Sequence, residues 1–155
     1  MSYIKIFFSM AVLFLLAGNS FSQSSNYFNL AYSAGFSYNF DAKSADFRYQ
    51  NIDFGYNIQN HEIGTSVGQN GDFWYGLYYK YHLPYQFNIG YKLGKIPERS
   101  VTDVYNELSA GKDFPVTKDF SLRTNVFISS PSENPLYIKN AKPKIGFTVG
   151  VLYTF

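Results

Sequence analysis

His61 and His82 are the residues of this chain best suited to general acid–base chemistry, and each stands beside a turn signal. A catalytic histidine needs a positioned nucleophile or activated water, and a third group to orient it. The segments Asn57 to His61 and His82-Leu83-Pro84 read as turns, so both histidines are expected to be solvated turn residues. Asp41, Asp46 and Asp72 offer oxygens for a loosely held calcium, but Asp is common in turns because its side chain hydrogen-bonds nearby backbone. The sequence has no phosphate-binding loop, no zinc spacing and no paired-carboxylate arrangement. No catalytic residue, cofactor or metal ligand is therefore expected. With no cysteine there is neither a disulfide nor a lipoprotein-type lipid anchor.

The other chemistry-bearing residues are charges set at alternate positions of otherwise apolar or small-residue stretches. They are Glu62, Lys80, Lys92, Glu107 and Arg123, with Asp53 and Arg48 as further candidates. Their signs nearly balance. Enclosed in a narrow space, such charges must pair, since an unpaired buried charge is costly. They read as a structural salt-bridge network. A selective pore would be the functional alternative.

Only strands place charges at this period. The last stretch alternates Ile145, Phe147, Val149, Val151, Tyr153 and Phe155 with Gly146, Thr148, Gly150, Leu152 and Thr154. The stretch from Phe28 to Phe40 has the same design, with period two sustained throughout. Between them lie further strands. Phe47 and Tyr49 lead into Ile52, Phe54, Tyr56 and Ile58, a change of phase that suggests a β-bulge near Gln50–Asn51. Ile63 to Val67 follows, then a tight turn at Asn70-Gly71, then Phe73 to Tyr81 and Tyr85 to Leu93. The segment Asp103 to Lys112 carries Val101, Val104, Tyr105 and Leu108 at helical spacing, with Ser100 to Asp103 resembling a capping box. A strand is favoured there because the neighbouring hairpins need a partner. Asp113 to Asp119 reads as a turn, Phe120 to Ile128 as the seventh strand, and Ser129 to Pro143 as the longest loop.

Eight antiparallel strands in up-and-down order result, each near the ~9–11 residues that cross a bilayer at a tilt. Volume decides which face points inward. The interior of an eight-stranded barrel is just wide enough for side chains to fill. Several aromatic rings per strand would overfill it, whereas Gly, Ser, Asn and Thr fit. Aromatics make up 21% and charges 15% of the chain, so the polar face lacks the Lys and Glu that a soluble barrel needs outside. The fold class expected is an all-β, eight-stranded transmembrane β-barrel over residues 23–155, apolar outside, the reverse of a lipocalin. Rings near the strand ends form the interfacial girdles: Tyr27, Tyr56, Tyr81, Tyr85, Phe120 and Phe155 at one side, Tyr38, Phe40, Phe47, Phe73 and Tyr91 at the other. The net charge of +2 supplies no field for nucleic acid.

Residues 1–22 read as a secretory signal peptide: Lys5, an apolar run from Ile6 to Ala17, then small residues up to Ser22. The run is short for a helical span. With that signal, the amphipathic strands, the short turns and the Tyr153-Thr154-Phe155 ending, the mature chain resembles the small outer-membrane barrels of the outer-membrane protein A and X type. The resemblance implies a Gram-negative outer-membrane location, both termini in the periplasm, and reading of Phe155 by the barrel insertion machinery. It implies outer-membrane lipids as surroundings and other outer-membrane proteins as candidate partners. Nothing resembling a periplasmic domain follows the last strand, so peptidoglycan anchoring is not implied. The expected function is non-enzymatic, in envelope structure or in a larger outer-membrane assembly, through the lipid-facing surface and outer loops. Glu133, Asn134, Leu136, Tyr137 and Lys139 of the longest loop are the candidate contacts. The alternatives are a lipid-modifying barrel enzyme, which needs a histidine at the outer side, and a soluble lipocalin-like ligand-binding barrel.

Overall fold

The computed structural model describes residues 26–40, 42–97, 104–132 and 143–155. The segment 1–22, Asp41, residues 100–103 and the loop candidates Glu133, Asn134, Leu136, Tyr137 and Lys139 lie outside the described residues.

Strict alternation produces eight strands: β1 (Tyr27–Asn39), β2 (Ser44–Ile58), β3 (His61–Asn70), β4 (Asp72–His82), β5 (Phe87–Lys95), β6 (Val104–Pro115), β7 (Phe120–Ser132) and β8 (Lys144–Thr154). Each pairs antiparallel with its sequence neighbours, and β1 closes on β8 in one barrel. Closure satisfies every edge, the condition for strands to cross a bilayer. Phe155 extends the last ladder, its amide donating to the Phe28 carbonyl at 3.0 Å and its carbonyl accepting from the Phe28 amide at 3.1 Å. The first and last strand ends therefore share one rim, called the terminal rim here, with the turns after β2, β4 and β6. The opposite rim is the loop rim.

Large apolar side chains face outward around the whole circumference. Leu77 is 63% exposed, Ile63 56% and Tyr32 45% in the isolated chain, values that would be ruinous for a protein in water. Gly90, Gly146 and Gly150 occupy the inward parity with Ser, Thr and Asn. Gly55 and Gly64 are direct cross-strand partners, and the space beside them holds the ring of Tyr78; a Cβ on Gly64 would lie 2.7 Å from Tyr78 Cε1. Gly71 alone separates Asn70 from Asp72 and takes φ +85°, which favours glycine.

Several sequence expectations are corrected. The irregularity lies between Gly35 and Ser37, opposite Tyr49 and Asp46, and not at Gln50–Asn51. Phe47 and Arg48 occupy the extra positions, so Phe47 stays outside while Tyr49 is 2% exposed and points inward. Arg48 leaves the lumen and ion-pairs with Asp46 at 3.0 Å on the outside. Tyr85 belongs not to β5 but to a 3-10 turn, Pro84–Gln86. The turn expected over Asp113 to Asp119 shrinks to residues 116–119, because β6 continues to Pro115. The segment from Val104 onward is strand, paired with both neighbours. Tyr27 shares the inward parity of Asn29 and Ala31, and its hydroxyl accepts from Asn57 Nδ2 at 2.7 Å rather than joining the outer girdle.

Candidate functional site

The lumen has three levels. Nearest the loop rim is an apolar plug. Trp74 stacks on Tyr105 with ring centres 4.2 Å apart, and Ile96, just beyond β5, is buried with them. Tyr49 packs on Phe127 at 4.4 Å. Gly68 and Gly94 make room for the indole, since a Cβ on either would approach it to 2.7 or 3.0 Å.

Below the plug, Lys92 Nζ donates to both carboxylate oxygens of Asp53 at 2.9 and 3.1 Å and stands 3.9 Å from Glu107. Asp53 also accepts from Asn51 at 2.8 Å and from the Ser66 hydroxyl. The hydroxyls of Tyr49 and Tyr105 converge on Glu107 Oε2 at 2.7 and 2.6 Å. Each carboxylate here meets several donors, the condition for keeping a charge out of water.

The third level centres on Glu62, which is fully buried. Its Oε1 accepts from the Tyr78 hydroxyl at 2.7 Å and lies 3.7 Å from Lys80 Nζ. Its Oε2 lies 2.8 Å from His82 Nε2 and 3.6 Å from Arg123 Nη2. Arg123 in turn grips Asp113 through two parallel hydrogen bonds, Nε to Oδ1 at 2.7 Å and Nη2 to Oδ2 at 2.9 Å. Asp113 and Arg123 are directly opposed on β6 and β7, so the fork spans one ladder step.

The five charges read from alternation, Glu62, Lys80, Lys92, Glu107 and Arg123, thus lie in two clusters, all buried. Asp53 joins the upper cluster. Sequence reasoning missed Asp113, which it placed in a turn; the signal was its parity with Glu107 and Ser109. It also placed His82 in solvent, whereas His82 is the inward rim residue of β4 and reaches Glu62. His61 is on the outer face, 2.8 Å from the Tyr79 hydroxyl. Lys112 was unassigned. It lies on the outward parity near the terminal rim, its Nζ 5.0 and 5.3 Å from the ring centres of Phe87 and Phe114.

A carboxylate already meeting Tyr78, Lys80, His82 and Arg123 is poorly suited to act as a general base, and His82 is occupied by that carboxylate. Among the described residues no group of three or more His, Cys, Asp or Glu is arranged to hold a metal ion.

The outward rings, closed ladder and compensated interior together describe a barrel built for lipid. Solved structures are similar to this chain. One, from work on de novo design of transmembrane β-barrels, is 12% identical with a TM-score of 0.53, covering 87% of this chain and all of its own. Neisserial surface protein A is 12% identical at a TM-score of 0.56, covering 88% of this chain and 99% of its own. Ail, the attachment invasion locus protein of Yersinia pestis, is 13% identical at a TM-score of 0.46, over 84% and 97%. The fold is that of the small outer-membrane β-barrels. No protein-family model matches the chain, and no curated protein does. In this fold the membrane is crossed by strands; among the described residues no helix is long and apolar enough to do so.

Proposed function

We propose that the protein is a non-enzymatic integral barrel of a Gram-negative outer membrane, with the terminal rim in the periplasm. It acts through its lipid-facing wall and outer loops, in envelope structure or as part of a larger outer-membrane assembly. The observation that carries this reading is the polarity of the wall: apolar side chains outside on all eight strands, and ion pairs, amides and glycines inside. Transfer of those rings from water to lipid is favourable at roughly 25 cal/mol per Å². The filled lumen supports an anchor or partner over a conduit, since an interior of this size holds side chains and no channel. Phe155, stacked on Phe28 with ring centres 6.3 Å apart and 57% exposed, is the proposed contact for the insertion machinery. Glu133, Asn134, Leu136, Tyr137 and Lys139 remain the proposed loop contacts.

Expression of the full chain in a Gram-negative host tests this. Fractionation should place it in the outer membrane, extractable only with detergent, with a gel mobility that shifts on boiling. A tag placed before Tyr27 or in the turn over residues 116–119 should be protected from label in intact cells and reached once the outer membrane is permeabilised. Recovery in the soluble periplasmic fraction would overturn the reading.

A further inference from the structure

The plug closes the lumen toward the loop rim, but at the terminal rim the interior opens into a cavity of about 590 Å³. That volume falls within the range of small-molecule sites. Asp113 lines it, and among the described residues around it there is no lysine or arginine. Tyr27, Tyr81 and Tyr85 line it as well, with His82, Ser121 and Leu152.

The lumen below the plug is one positive charge short. Among the described residues, the inward-facing Asp53, Glu62, Glu107 and Asp113 supply four carboxylates, against three fixed cations, Lys80, Lys92 and Arg123. Lys112 is buried too, but it stands on the outward parity against Phe87 and Phe114. His82 makes up the difference only when it is protonated. An excess charge is costly in a space with little solvent to screen it. A cation that offsets it reaches it from the terminal rim, because the plug fills the other end. Three of the carboxylates are out of reach from there: the side chains of Glu62, Glu107 and Asp53 are 0%, 3% and 4% exposed. The Asp113 side chain is 11% exposed and lines the cavity. Arg123 gives each of its oxygens one hydrogen bond. A carboxylate has about four lone-pair sites, so Asp113 keeps acceptor capacity toward the cavity.

The lining then selects among cations. No group of three or more His, Cys, Asp or Glu among the described residues is arranged to hold a metal ion, and the volume is far larger than a bare ion needs. One carboxylate, a Ser121 hydroxyl and three tyrosines match a primary ammonium on a short alkyl chain. Such an ammonium carries three N–H donors and is attracted to tyrosine rings, while its methylenes pack on Leu152 and on the rings. We propose that the terminal-rim cavity is a binding site for a small aliphatic primary amine in its ammonium form, a monoamine or diamine, held by Asp113. The site rests on the fold and not on the membrane reading, so its failure leaves that reading untouched.

The test is calorimetric titration of the full-length folded barrel with butylamine and with putrescine, at about pH 8, where an ordinary histidine is neutral. The barrel is held in an alkyl glycoside micelle and phosphate buffer, because choline detergents and amine buffers would themselves compete. Asp113→Asn removes the charge and keeps an oxygen for Arg123. Tyr85→Gly removes a ring from the lining and leaves every ion pair in place, and glycine suits the φ of 61° found there. Boiling-dependent gel mobility confirms that each variant is folded. Saturable binding of at least one amine is expected. Asp113→Asn should weaken it about tenfold or more, the loss of a charge-assisted hydrogen bond, and Tyr85→Gly about two- to fivefold, the worth of one cation–ring contact. Butanol and butyrate, equal in length to butylamine but without its positive charge, should not bind. The proposal is overturned by no saturable uptake of either amine, by equal uptake of butanol or butyrate, or by unchanged affinity in either folded variant. Should Asp113→Asn fail to fold, Tyr85→Gly decides the outcome.

Discussion

Arg123 ties the lower cluster together, because among the described residues it is the one cation in contact with both Asp113 and Glu62. Taking it away strips the mostly buried Asp113 of its ion-pair partner, while Glu62 keeps Lys80, His82 and Tyr78. Breaking one side of a buried ion pair costs about 3–5 kcal/mol. Arg123→Met should therefore lower the unfolding free energy by about that amount, read as a shifted guanidinium midpoint for barrels reconstituted in phospholipid vesicles. Arg48 provides the contrast. Its pair with Asp46 has the same geometry, but its side chain is 70% exposed, so Arg48→Ala should leave the midpoint unchanged. Equal effects of the two substitutions would show that burial does not set the strength of these pairs. The parity rule made Glu62, Lys80, Lys92, Glu107 and Arg123 legible before any coordinates. Arg48 was misread because it sits in the irregularity itself, where Phe47 and Arg48 are consecutive and both exposed, so alternation does not hold across it.

At the scale of elements, the ladder holds its register by matching small residues against large ones. The opposed glycines of β2 and β3 accommodate Tyr78 from β4, and Tyr78 is what delivers a hydroxyl to Glu62. A Cβ on Gly55 would collide with that hydroxyl and come within 3.0 Å of Tyr78 Cζ and Asn29 Oδ1, all side-chain atoms. Gly55→Ala should destabilise the barrel by about 1–3 kcal/mol through overpacking. The same substitution made in a Tyr78→Phe background should cost clearly less, and the double-mutant cycle should give a coupling of about 0.5–3 kcal/mol. Additive effects would mean that the glycine serves the backbone and not the ring. The elements themselves were readable from period two, but their ends were less so. β6 extends to Pro115 because Asp113 can pair inward with Arg123, a long-range compensation that local turn signals do not report.

For the molecule as a whole, two properties follow from wall and plug. Leu77 sits at the centre of β4 on the outer face. Leu77→Arg should cost about 2–4 kcal/mol of stability in a bilayer, the penalty of a cation on the lipid face near the midplane. A barrel facing water would tolerate it, so unchanged stability in vesicles would contradict the wall's polarity. Reconstituted in a planar bilayer, the protein should show no steady conductance, since Trp74, Tyr105, Ile96, Tyr49 and Phe127 fill the loop-rim half. Trp74→Ala, which removes the largest buried side chain, should let ions leak. A steady open channel in the unaltered protein would show that the plug does not close.

The amino-acid order alone determined that this chain is eight alternating strands with rings on one face and small or charged residues on the other. That follows because the side-chain period of a strand is two and because an eight-stranded interior has too little volume for the aromatic parity. The partners of the charges, the inward turn of Tyr49, the capture of His82 by Glu62 and the open end of the lumen were decided only in three dimensions. Each depends on register between strands distant in sequence, and register is a property of the closed ladder that no single strand carries.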